Sequence, residues 1–168
     1  MEKLGLIQKI ILSYYEKIKF RKLDPVDFSS FANNIKKTMV ILPPEDELNK
    51  NIIDDIKKFA EKKYFPEIKF IGFEDSNYKF LQDFDHIDKV RFSTIPAGEQ
   101  FKIISNKNFD LSIDMNHKFC PKCALLGLLC DVPKRVGFSD RYESPYYNLI
   151  YKGGSLNKFT EFMEGLKN

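Results

Sequence analysis

The densest chemistry in this 168-residue chain lies in His117-Lys118-Phe119-Cys120-Pro121-Lys122-Cys123, with Cys130 further on. An imidazole and three thiols are zinc-ligand types. Their spacing argues against a metal. If Cys123 and Cys130 share one helix, they stand about 10 Å apart at roughly 1.5 Å of rise per residue. Zinc–sulfur bonds of about 2.3 Å cannot bridge that separation. Cys120-Pro-Lys-Cys123 also fits a redox dithiol, because a helix N-terminus favours the thiolate. Thiols that simply pack are the leading reading. Just upstream, Asp114, Asn116 and His117 close a strand. Such a set can share a proton or bind a sugar hydroxyl; the competing reading is a polar loop that caps the next helix. After the first strand, Pro43-Pro44-Glu45-Asp46-Glu47 offers Asp46 as a candidate base, against the plainer reading of an acidic helix start. His86 has no partner that sequence alone can name.

These groups need elements to hold them. Leu4, Ile7, Ile10, Ile11, Tyr14 and Ile18 recur at helical spacing, with lysines between them. A helix over residues 4–20 packs on the domain or, being basic and amphipathic, touches a membrane surface. Asp24-Pro25 breaks the chain, and residues 27–35 read as a connector. Thr38 to Leu42 reads as a buried strand stopped by Pro43-Pro44. Glu45 to Tyr64 reads as a helix with Leu48, Ile52, Ile53, Ile56 and Phe59 on one stripe. Strands are expected at residues 67–73, 89–93, 109–115, 135–138 and 147–151. Pro121 to Cys130 is apolar nearly all round and so predicts a buried helix. Ser155 predicts the N-cap of a closing helix with Leu156, Phe159, Phe162, Met163 and Leu166 on its inner face.

Composition narrows the class. Lys and Arg number 27 against 24 Asp and Glu, a net charge of +3, too balanced to demand nucleic acid. Three cysteines make no disulfide framework. The start of the chain leads into no signal-peptide core, and no apolar run approaches the roughly 18 residues of a membrane span. A reducing cytoplasm is the expected setting. The turn after the first strand has no glycine and three carboxylates, which excludes a dinucleotide pyrophosphate there. No cofactor is expected.

Phe109-Asp110-Leu111-Ser112-Ile113-Asp114, an apolar helix ending near Cys130, and Lys134-Arg135-Val136-Gly137-Phe138 together resemble the acceptor-side domain of heptosyltransferase-type (ADP-heptose:lipopolysaccharide) glycosyltransferases. Upstream, Thr38 to Phe73 is similar to that family's opening strand, helix and second strand, with Pro66-Glu67-Ile68-Lys69-Phe70-Ile71 in the last place. The likeness spans Lys36 to Phe138, and short proteins shaped like this half-enzyme resemble the chain further. It implies an α/β, Rossmann-like three-layer domain with a mainly parallel sheet at 36–168, preceded by a helix and connector at 1–35. The departures matter too. The family's Gly-Asp loop is here Glu45-Asp46-Glu47-Leu48, so only Asp46 carries over, without its glycine. Asn116 and His117 replace basic and glycine residues. The donor-binding half is not expected in a chain of this length, and without it the approximation of donor and acceptor is lost.

The thiol motif has its own likeness. A strand, the CxxC pair and a later Ser144-Pro145-Tyr146 are similar to parts of the thioredoxin fold. Only about 22 residues separate Cys123 from Pro145, too few for the intervening elements of that fold. The leading expectation is a non-catalytic binding or assembly module with a protein partner or self-association. The alternatives are the acceptor-binding subunit of a split glycosyltransferase and a thiol redox protein using Cys120 and Cys123.

Overall fold

The computed structural model describes residues 9–10, 13–14, 27–44, 50–62, 64–73, 78, 81, 84–89, 96–138 and 146–166. A short helix α1 (Phe28–Phe31) leads into β1 (Lys37–Ile41), α2 (Lys50–Lys62), β2 (Glu67–Phe73) and β3 (Phe84–Lys89). Next come β4 (Pro96–Ala97), α3 (Gly98–Ser105), β5 (Leu111–Asp114) and α4 (Pro121–Leu129). The chain closes with β6 (Lys134–Gly137), β7 (Leu149–Ile150) and α5 (Leu156–Gly165). The sheet runs β4-β3-β2-β1-β5-β6-β7. Every pairing is parallel except the edge pair β3–β4. Without the two-residue edge strand β4, this is the doubly wound order with the chain reversing direction between β1 and β5. The domain is a Rossmann-like α/β fold of three layers.

The pleat assigns each side chain to a layer, because neighbours along a strand point to opposite faces. In β1 and just beyond it, Val40 and Leu42 join one core with Ile56 and Phe59 of α2 and Leu156, Phe159 and Met163 of α5. Met39 and Ile41 join the other, with Ile104 of α3 and Cys123 and Leu126 of α4. Both faces of β1 are therefore covered, which is why its sequence is a continuous apolar run rather than an alternating one. In β5, Leu111 and Ile113 enter the first core, followed by Met115 just past the strand. Ser112 faces the other way and approaches α4 at Gly127, where a Cβ would stand 2.8 Å from its hydroxyl oxygen. That glycine lets helix and sheet pack at close range.

The connector is part of this core. Phe31, Ala32 and Ile35 are buried in the first cluster, so the domain's packing begins before residue 36. Lys134 donates to the carbonyls of Ser30 and Asn33 at 3.3 and 2.8 Å and ties α1 to β6. The Asp110 carboxylate accepts from the Lys36 and Lys37 amides, each at 2.9 Å, and pins the start of β1 beside β5.

Two expectations shift. Of the strand expected at residues 89–93 only Lys89 falls within the described residues, and a strand lies at Phe84–Lys89. Acidic residues hid it: Asp85 is held by Lys69 of β2 at 3.2 Å, so a charge faces a charge where an apolar pair is the usual cue. Helix α3 was not anticipated; it is short and starts at Gly98 with φ of +88°. Of the helix expected over residues 4–20, only Lys9, Ile10, Ser13 and Tyr14 are described; they are helical, and Ile10 and Tyr14 are exposed. The rest of it, and the membrane contact suggested for it, lie outside the described residues. Among the described residues, no helix is long and apolar enough to cross a membrane.

Candidate functional site

Ligands in doubly wound sheets sit beyond the carboxyl ends of the strands, at the point where the order reverses. Here the described part of that point is filled. Leu42, Asp114, Met115 and Asn116 are all buried at the ends of β1 and β5. The Tyr78 hydroxyl donates to the Pro43 carbonyl and covers the end of β1. Asp46, the candidate base, lies outside the described residues.

The pleat separates the candidate residues after β5. Asp114 points toward α4, on the face opposite Met115, and is 1% exposed. Its carboxylate accepts from the Asn116 amide at 3.0 Å, from the Asn116 side chain at 2.5 Å and from the Tyr147 hydroxyl at 2.5 Å. A buried carboxylate held by three donors is satisfied and structural. Burial raises the Tyr147 hydroxyl well above its ordinary pKa, and the Asp114 charge and hydrogen bond add to the rise. Tyr147 therefore stays protonated and remains a donor. Gly137 makes room for it: a Cβ there would stand 2.8–2.9 Å from the Tyr147 ring carbons. Asp114 and Asn116 thus form one network, while His117 is exposed and belongs elsewhere.

Elsewhere is an open crevice of about 880 Å³ between α2 and α5, over the ends of β5 and β6. Met115 and Phe138 form its apolar floor. Lys58, Lys62, His117, Lys118 and Lys158 bring basic groups to it, and Asn51, Asp54 and Asn157 bring neutral and acidic ones. An apolar floor under a few convergent polar groups is the general form of a small-ligand site. The N-terminus of α5 opens onto this crevice, but its amides are already in use. Asp55 of α2 accepts from the Leu156 and Asn157 amides at 2.6 and 3.3 Å, from the Ser155 hydroxyl at 2.7 Å and from the Asn157 side chain at 2.5 Å. Ser155 is the N-cap, as its sequence position predicted, and accepts from the Lys158 amide. An anion from the protein's own chain thus occupies the positive end of α5.

The cysteines lie on the other face of the sheet. Cys120 is the N-cap of α4, Pro121 is its first residue, and Cys130 is its C-cap. The turn carrying Cys120 and Cys123 is closed by the Ala124 amide donating to the Cys120 carbonyl at 2.9 Å. Cys120 is half-buried; Cys123 and Cys130 are buried, and all three are free thiols. Burial raises the Cys123 thiol well above its usual pKa; contact with the Cys120 thiol and the Asp114 charge raise it further. Burial pushes Cys130 up to about 12. Among the described residues, no group of three or more His, Cys, Asp and Glu is placed to hold a metal ion.

Sequence reasoning missed Tyr147 as the partner of Asp114, and the lysines of the crevice. Scattered lysines look like a solvated surface until two helices separated by many residues bring them together. No protein-family model matches the chain, and no curated protein matches it either.

Proposed function

We propose that this protein is a cytoplasmic binding module, related to the acceptor half of heptosyltransferase-type glycosyltransferases, that holds an acidic, hydroxyl-bearing ligand of sugar-phosphate type. The observation that carries this reading is the crevice between α2 and α5, open at the carboxyl end of the sheet and lined by lysines over an apolar floor. Ammonium groups of Lys58, Lys118 and Lys158 suit a phosphate or carboxylate. Asn51 and Asp54 suit hydroxyls, and the faces of Met115 and Phe138 suit the C–H face of a sugar ring. The buried Asp114 does not serve as a base for this ligand, because it faces α4 and both its oxygens already accept hydrogen bonds.

The test is a thermal-shift and saturation-transfer NMR panel of sugar phosphates and their neutral counterparts. A ligand at 100 times its Kd stabilises by about 2.7 kcal/mol. In a chain of this size that is a rise in Tm of roughly 5–11 °C. Sugar phosphates should give the shift and neutral sugars should not. Lys158→Glu, an exposed change, should abolish it. A panel without a shift, or a shift untouched by Lys158→Glu, refutes the reading. Turnover of a nucleotide sugar by the isolated chain refutes its non-catalytic part. The split-glycosyltransferase reading instead requires a co-purifying donor-binding partner, with transfer seen only in the complex.

A further inference from the structure

We propose that Cys120 and Cys123 form a thiol–disulfide exchange site for a small anionic disulfide of the glutathione type, on the face of the sheet opposite the crevice. Four observations carry it. The two cysteines occupy the N-cap and third positions of one helical turn, closed by the 2.9 Å bond from the Ala124 amide to the Cys120 carbonyl. Residues at that spacing on a helical turn have Cα atoms about 5 Å apart, inside the roughly 4.4–6.8 Å that a disulfide spans. Both side chains pack in the same apolar cluster, with Phe73 and Leu126. Their accessibilities differ in the sense an exchange pair needs, with Cys120 half-buried and Cys123 buried beneath it. Lys122, between the two cysteines in the first turn of α4, supplies a positive charge that favours the approach of an anion.

Cys130 is excluded. It caps the far end of α4, packed with Val132 and Phe109.

The position decides the roles. Cys120, the half-buried thiol of the pair, is the one an external disulfide can reach, and it gives its proton to solvent as it attacks. It attacks one sulfur of the external disulfide; that S–S bond breaks, a mixed disulfide forms, and one small thiolate leaves. Cys123 then loses its proton to solvent and attacks the Cys120 sulfur. The Cys120–Cys123 bond forms, and the second small thiolate leaves. Two electrons and two protons pass from the protein dithiol to the external disulfide, which becomes two thiols. Burial and then the neighbouring Cys120 thiol keep the Cys123 thiol protonated until the mixed disulfide forms.

The experiment treats reduced full-length protein with glutathione disulfide at neutral pH, quenches with an alkylating reagent, and reads intact mass and peptide maps. Wild type and Cys130→Ser should lose two alkylatable thiols and show one internal Cys120–Cys123 disulfide, reversed by dithiothreitol. Cys123→Ser should stop at a stable glutathionyl adduct on Cys120. Cys120→Ser should react at least about tenfold more slowly. Circular dichroism of each variant verifies folding, and the wild-type peptide map decides the question even if a variant does not fold. A disulfide that includes Cys130, a wild-type rate equal to that of global unfolding, or a Cys120→Ser rate equal to wild type overturns the proposal. None of these outcomes bears on the crevice.

Discussion

Adding one methyl group at Gly137 should dismantle a hydrogen bond at the next strand. The Cβ of Gly137→Ala would stand 2.8–2.9 Å from the Tyr147 ring carbons. Comfortable carbon contacts are about 3.5–4.0 Å, so the ring must move by nearly 1 Å or stay under strain. Overpacking of this kind costs about 1–3 kcal/mol. Movement pulls the hydroxyl from Asp114, where it now donates at 2.5 Å. A hydrogen bond to a charged, buried acceptor is worth about 1.5–3 kcal/mol. Tyr147→Phe removes only that bond, so about 2 kcal/mol is expected. Gly137→Ala removes the bond and adds residual strain, so about 3 kcal/mol is expected. The double variant should lose little more than Gly137→Ala alone, because the bond is already gone. Urea unfolding of the four proteins measures this, with Tm falling by roughly 2–4 °C per kcal/mol. Strict additivity, near 5 kcal/mol in the double variant, would mean that the bond survives Gly137→Ala and that this glycine does not place the ring. A loss under about 0.5 kcal/mol for Tyr147→Phe would mean that Asp114 does not depend on Tyr147.

Two further outcomes follow from the carboxylates that join distant elements. Asp55→Ala leaves two amides and a hydroxyl at the start of α5 without their acceptor, and should cost about 2 kcal/mol in urea unfolding with early loss of amide-exchange protection in residues 156–159. For Asp110, burial opposes ionisation, but the amide hydrogen bonds of Lys37 and Lys36 outweigh it and hold the folded-state pKa below the ordinary 3.8. Its contribution is therefore present above the unfolded pKa and lost as pH falls through the lower folded value. Asp110→Asn should be less stable than wild type at pH 7, and the difference should shrink below about pH 3.8; a difference that grows with acid refutes this.

The fold was legible wherever burial is continuous. Residues 37–41 form a strand because both faces of a central parallel strand must be apolar, and the buried run Phe70–Phe73 gives the second strand the same cue. The helix at 121–130 was legible for the same reason, and Ser155 marked the start of α5 by a local rule of capping. The strand at 84–89 was not legible, because its charges are balanced by a lysine on a neighbouring strand. The site was less legible still. Asp114, Asn116 and His117 are neighbours in sequence, but the alternation of the strand and the turn after it leave two of them sealed beneath α4 and the third over the crevice.

The sequence by itself determined the long buried strands and helices, the three-layer class and the placing of Cys120 and Cys123 in the first turn of one helix. These depend on periodicity and on contacts a few residues apart, which a linear reading resolves. Only the tertiary structure decided that Tyr147 reaches Asp114, that Asp55 caps a helix about a hundred residues away, and that lysines from α2, α5 and the loop after β5 face one crevice. Those relations depend on which strand lies beside which, and nothing local in the chain encodes that order.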